Sequence, residues 1–180
     1  MVGDERIRLF CALQLPDDTL DALAAWQERE LRSAEGRVVP RGNLHVTLAF
    51  LGSRPAGDLE SVADELRAAS AAVPAPLELR PVRYRETRNV GMIVLEDLSG
   101  RATALADDLQ ERLERLGVYR REGRSWLPHV TVLRFRRPEG LRFGVANTCS
   151  IHVVRSALYR SHLGRDGARY EVLKTAALGG

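Results

Sequence analysis

Apolar residues recur along this chain in two rhythms. Arg8 to Leu15 is a short, nearly continuous apolar run closed by Pro16, the pattern of a buried strand. Behind Asp17, which has the character of an N-cap, Leu20, Leu23, Ala24 and Leu31 return at helical spacing and predict a helix to about Arg32. Gly36 breaks it. Arg37 to Pro40 and Leu44 to Leu51 read as strands around an Arg41-Gly42-Asn43 turn. A second helix starts at Asp58, with Leu59, Val62, Ala63 and Leu66 on one face, and Val73-Pro74-Ala75-Pro76 ends it. Leu77 to Tyr84 and Gly91 to Leu95 form a long hairpin. Ser99 caps a third helix that buries Ala102, Leu105, Leu109, Leu113 and Leu116, with Gly117 just past its end. Trp126 to Phe135 is a further strand. Ile151 to Tyr159 pairs with Tyr170 to Leu173 across Gly164-Arg165-Asp166-Gly167. Helices and strands without a regular parallel rhythm predict an α+β fold.

An internal repeat organises these elements. A strand, a helix and a strand carrying His-Val-Thr occur twice: Asn43-Leu44-His45-Val46-Thr47-Leu48 matches Leu127-Pro128-His129-Val130-Thr131-Val132. Each helix ends about a dozen residues before its histidine, which predicts a duplicated lobe. With four His and seven Thr in the chain, roughly 0.16 His-x-Thr triplets arise by chance. Residues i and i+2 of a strand share a face, so His45 and Thr47 point one way while Val46 and Leu48 point into a core. The same holds for His129, Thr131, Val130 and Val132. Alone, such a triplet is commonly a core histidine bonded to a threonine. Two of them side by side place two imidazoles and two hydroxyls around one groove. That set suits cyclic phosphate hydrolysis: one histidine takes a proton from water and the other gives one to the departing ribose oxygen. The hydroxyls serve the non-bridging oxygens, where charge collects.

Composition adds limits. The chain has 180 residues, 44% hydrophobic and 28% charged, enough for one domain or two small lobes. Its net charge of +3 does not by itself argue for nucleic acid. Lys174 is the only lysine; the other basic residues are arginines, a bias that codon usage explains but that also suits phosphate binding. Cys11 and Cys149 lie in apolar, strand-like stretches and are expected as buried free thiols. Met1 to Arg8 is charged and has no apolar signal core, and no run approaches membrane-spanning length, so a cytoplasmic protein without membrane contact is expected.

The stretches His45-Val46-Thr47-Leu48-Ala49-Phe50-Leu51-Gly52 and His129-Val130-Thr131-Val132-Leu133-Arg134 resemble the two motifs of the two-histidine phosphoesterase superfamily. Arg8 to Leu13 with Pro16, Asn43-Leu44 and Ala168-Arg169-Tyr170 are similar to its RNA 2',3'-cyclic phosphodiesterase branch, the LigT-like or ThpR-like proteins. The resemblance implies one bilobal, duplicated domain over 1–180, with two antiparallel sheets facing a central cleft and helices outside. It implies hydrolysis to a 2'-phosphate with no metal and no cofactor. In that reading His45 is the acid that protonates O3', His129 the base that activates water, and Thr47 and Thr131 hold the phosphate. Arg134 matches an arginine that contacts phosphate or nucleotide. It stands five residues after His129, on the opposite face of an ideal strand, and reaches the cleft only if the strand ends or bulges near Leu133.

The expected partner is RNA with a 2',3'-cyclic phosphate end, or a cyclic nucleotide, bound by a monomer. Arg120, Arg121, Arg124, Arg134, Arg136, Arg137 and Arg142, diluted by Glu122 and Glu139, read either as a solvated loop or as an RNA backbone track. Phe10 reads as core, with base stacking as the alternative. Trp126 is rim or core, and His152 and His162 are structural or surface. No HExxH, CxxC or Gly-x-Ser-x-Gly pattern supports a metal or serine hydrolase. The competing readings are a non-catalytic RNA- or nucleotide-binding module, and 2'–5' ligation or opening of small cyclic nucleotides on the same fold.

Overall fold

The computed structural model describes residues 5–145 and 149–180. The sequence reading of residues 1–4 as part of a charged, signal-free start lies outside the described residues. In chain order the elements are β1 (Arg6–Leu13), α1 (Asp17–Glu30), β2 (Arg37–Val38), β3 (Val46–Pro55), α2 (Leu59–Ala71), β4 (Leu77–Glu86), β5 (Val90–Asp97), α3 (Arg101–Arg115), β6 (His129–Arg134), β7 (Ile151–Val153), β8 (Arg155–Gly164) and β9 (Gly167–Ala177). The architecture is α+β with a strongly curled antiparallel sheet.

Along the sheet the strands run β7-β4-β5-β6-β3-β1-β8-β9, with β2 beside β6. Two four-stranded halves therefore meet at β6 and β3, through one paired position, Val46 with Val130. Beyond it the strands part, and β2 takes over the free edge of β6, pairing Arg37 with Arg134 and Val38 with Leu133.

Side-chain alternation separates two apolar layers. Leu9, Cys11 and Leu13 of β1 enter the main core with Val46, Leu48, Val130 and Val132. Phe10 and Ala12 point the other way and join Ala157 and Tyr159 of β8 in a small second cluster. The helices cover the main core. Helix α3 buries Ala102, Leu105, Leu109 and Leu113 and packs against β3, β4 and β5, while α2 lies against β8 and β9. Helix α1 follows β1 in sequence but sits behind the other half: the Trp26 and Tyr84 rings are 6.2 Å apart, and the Trp26 indole donates to the Gly144 carbonyl at 3.0 Å.

Several sequence expectations need correction. Cys149 is exposed, whereas Cys11 is a buried free thiol; the sheet resumes only at Ile151, so Cys149 has no strand to turn it inward. The stretch Ile151 to Tyr159 is two strands that separate at Val154, β7 pairing with β4 and β8 with β1 and β9. Pro16, not Asp17, is the residue before α1, and it offers no side-chain cap. At α3 the capping acceptor is Asp97, whose carboxylate takes the Thr103 N–H at 2.8 Å; Ser99 receives the Arg101 backbone N–H at 3.3 Å and its side-chain Nε at 3.2 Å. Leu116 falls past the end of α3 and is 38% exposed.

Candidate active site

Both His-Val-Thr motifs sit where the sheet halves meet. Extending the register of the Val46–Val130 pair places His45 across from Thr131 and Thr47 across from His129. The two histidines are close enough that charge on His129 disfavours charge on His45. Each ring is oriented alike. The Nδ1 of His45 lies 2.7 Å from the Asn43 carbonyl, and that of His129 lies 2.8 Å from the Leu127 carbonyl. A carbonyl can only accept, so Nδ1 carries hydrogen and Nε2 is the reactive edge in both neutral rings.

Each motif strand bulges at its fourth residue. Ala12 of β1 pairs with Thr47 and Cys11 with Ala49, which leaves Leu48 unpaired. Met92 of β5 pairs with Thr131 and Gly91 with Leu133, which leaves Val132 unpaired. The extra residue puts two consecutive side chains into the core, Leu48 with Ala49 and Val132 with Leu133. It also reverses the parity downstream. Arg134 thereby comes to the same cavity as Thr131, the condition set by the sequence, and Phe50 does the same on β3.

Two buried glutamines brace these bulges. Gln110 of α3 donates to the Leu48 carbonyl at 2.8 Å. Gln27 of α1 donates to the Val132 carbonyl at 2.9 Å and to the Val39 carbonyl at 3.0 Å. Sequence reasoning missed both. Their signal was there: Gln27 lies on the apolar face with Leu20, Leu23, Ala24 and Leu31, where an uncharged amide has to find a buried acceptor.

The surroundings of the two rings differ. His45 rests against Phe10 at 4.9 Å and Tyr170 at 5.4 Å between ring centroids, with Tyr159 behind at 6.1 Å. Phe10 is 2% exposed and stacked on Tyr159, so it is the floor under His45 and not a base-stacking platform. Burial pushes the His45 imidazole down to about 4; the Asn43 carbonyl opposes this, while His129 and Arg134 add to it. Its Nε2 lies 3.0 Å from the Thr47 hydroxyl. Trp126, just ahead of the second motif, donates its indole N–H to the Thr47 carbonyl at 2.9 Å and so ties the two motifs together. Asn43 ties the first motif to β9 through its amide and the Ala168 carbonyl, 2.7 Å apart.

The cavity in front of the motifs has a volume of about 410 Å³ and is lined by His45, Thr47, Thr131 and Arg134, among others. His129 is not one of its wall residues; it stands two positions before Thr131 on the same face. The basic segment expected around the second motif is divided. Arg121 pairs with Asp107 and Arg124 with Glu122, Arg134 enters the cavity, and Arg136 and Arg137 border a neighbouring groove. Arg120 lines another groove with Arg54 and Tyr119, and Arg142 is exposed. His152 is exposed on β7, and His162 pairs with Glu171 at 2.7 Å; neither lines the cavity. Among the described residues no three His, Cys, Asp or Glu side chains are grouped as for a metal ion, and no helix is long and apolar enough to cross a membrane.

This arrangement has counterparts. The chain is 30% identical over 179 residues to the RNA 2',3'-cyclic phosphodiesterase of Escherichia coli, covering 95% of this chain and 96% of that one. It is 29% identical over 181 residues to the protein of the same description from Thermus thermophilus, covering 97% and 91%. The crystal structure of E. coli LigT complexed with 3'-AMP superposes with a TM-score of 0.82 at 26% identity, over 98% of this chain and all of that one. The family model of the 2'-5' RNA ligase superfamily matches residues 15–152. With its paired motifs, its fold and its full-length relatives in agreement, the chain belongs to the 2'-5' RNA ligase superfamily.

Proposed function

We propose that the chain hydrolyses 2',3'-cyclic phosphate ends of RNA to 2'-phosphomonoesters, without a metal, as one unit built from two similar lobes. The observation that carries this reading is the pairing of the two His-Val-Thr strands at Val46 and Val130, beside one cavity. Water attacks phosphorus and loses its proton to Nε2 of His129. The P–O3' bond breaks, and O3' takes a proton from Nε2 of His45. The phosphate stays on O2'. Thr47, Thr131 and Arg134 receive the non-bridging oxygens, where charge grows in the transition state.

The low proton affinity of His45 sets a condition on that assignment. At neutral pH the free ring is neutral, so as the acid it must gain a proton when substrate arrives. Two changes favour this: the anionic phosphate attracts charge onto the ring, and a Thr47 hydroxyl turned toward phosphate no longer donates to Nε2. The pKa of His45, followed by NMR, is therefore expected to rise when a 2'-phosphomonoester binds. No rise would exchange the acid and base roles. The function itself is tested with an oligoribonucleotide ending in a 2',3'-cyclic phosphate, reading the position of the product phosphate. Binding without turnover would support the non-catalytic module instead.

A further inference from the structure

Arg134 reaches the cavity without a partner to aim it: among the described residues no carboxylate pairs with its guanidinium. Its direction is therefore set by the backbone at the end of β6. That end is thinly held. Strand β6 stops at Arg134, and β2, which flanks it on one side, is two residues long. On the other side Val90 of β5 pairs with Arg134, and the tip of the β4–β5 hairpin runs past it. That tip grips the chain that follows Arg134.

The grip starts at once: the Asn89 carbonyl accepts the Phe135 N–H at 3.0 Å. Farther on, the Glu86 carboxylate accepts two consecutive amides, that of Gly140 at 2.8 Å and that of Leu141 at 3.1 Å. Gly140 has a φ of +70°, a left-handed turn of the kind that lets successive N–H groups converge on one anion. Hydrogen bonds to a carboxylate are about twice as strong as neutral ones. The Tyr84 hydroxyl donates to the same carboxylate at 3.3 Å.

Tyr84 joins this grip to the bulge. Its ring lies over Gly91, where any side chain would strike the hydroxyl. Gly91 is the β5 residue opposite Leu133, at the irregularity that reverses the parity of β6. Phe143, from the same returning segment, packs edge-on against the Tyr84 ring at 4.9 Å between centroids. Residues 135–144 thus form a strap drawn across Tyr84 and the bulged end of β6, and Glu86 is its charged fastening.

We infer that Glu86 is a positioning residue for Arg134: it fastens the strap at Gly140 and Leu141, and the strap holds the end of β6 in the parity that delivers the guanidinium to the phosphate. This rests on the role proposed above for Arg134. Glu86 is not a wall residue of the cavity, so its influence passes through the backbone and touches no substrate.

The test measures turnover of a nucleoside 2',3'-cyclic phosphate and affinity for inorganic phosphate. Glu86→Ala and Glu86→Gln are each made in the wild type and in Arg134→Ala, with urea midpoints taken alongside. Glu86→Ala should lower kcat/KM by about tenfold or more, the scale of a small misplacement of a positioned group, and should weaken phosphate binding severalfold. Glu86→Gln keeps the shape of the side chain and one acceptor oxygen, and should fall between. In the Arg134→Ala background either change should cost almost nothing further, because residues that act through one contact are not additive. A loss of equal size in both backgrounds marks a merely stabilising carboxylate and would overturn the inference, as would wild-type values in Glu86→Ala. If Glu86→Ala does not fold, Glu86→Gln carries the same comparison. If the wild type does not turn over the cyclic phosphate, hydrolysis fails as the function, and phosphate affinity across the same variants still decides the inference; a wild type that binds no phosphate rejects it as well.

Discussion

In β3, His45 lies on a bed of Phe10, Tyr159 and Tyr170, its Nε2 already engaged by Thr47. In β6, His129 has the same kind of backbone acceptor two residues upstream but, among the described residues, no such aromatic bed. The frameworks are otherwise alike: a histidine and threonine on one face, a bulge at the fourth residue, and a glutamine from a helix on the bulge carbonyl. Duplication supplies the positioning, and the second layer of side chains supplies the difference. Burial on hydrocarbon holds the His45 imidazole well below its ordinary value, so the two motifs share a framework while the first ring carries a distinct surrounding.

The most severe way to break the comparison is to remove one ring. His45→Ala and His129→Ala should each lower kcat/KM by about 10²–10⁴-fold, with the double variant losing far less than the product of the two. A single variant retaining near-normal turnover would reduce that histidine to a structural part. A smaller effect separates the strands in stability. The His45 pKa is about 4 when folded, against 6.5 for the ordinary imidazole. The unfolded chain therefore takes up the proton first as pH falls. Stability is full above about pH 6.5, declines between 6.5 and 4, and levels below that, by at most ~3 kcal/mol. Urea unfolding across that range should show the slope, and His45→Gln should flatten it; a slope that survives has another source.

The bulge braces sharpen the likeness rather than the contrast. Gln27→Met takes a donor from the Val39 and Val132 carbonyls and Gln110→Met takes one from the Leu48 carbonyl, each variant at about 1–3 kcal/mol. Both should lower the urea midpoint and also lower kcat more than they raise KM, since each holds a motif strand and touches no substrate. If only KM moves, the bulges do not position the histidines. The smallest expected effect is none: turnover should be the same with and without EDTA. Loss in chelator with recovery on zinc or manganese would end the metal-free reading.

Much of this was legible in the chain. The alternation around His45 and His129 is strict for four residues, so the faces of Val46, Leu48, Val130 and Val132 followed directly. The side on which Arg134 emerges did not, because a bulge is a property of two strands and its register is set by Gly91 and Met92 on the partner. Cys149 misled because apolar neighbours mark a strand only when another strand is there to pair. Glu86 was invisible as a fastening: the amides it holds stand 54 and 55 positions later, and a glutamate between arginines reads as surface charge until the returning segment is in place.

The seat of α1 also bears on how the chain reaches this state during synthesis. Gln27 bonds to a residue 105 positions later, and Trp26 to one 118 positions later. While the ribosome is still making the middle of the protein, α1 lacks its partners on Val132 and Gly144. The first half is thus committed to waiting for the second, a high-contact-order path that is slow and leaves hydrophobic surface open to association. Premature termination before β6 should therefore yield an aggregating fragment and not a functioning half.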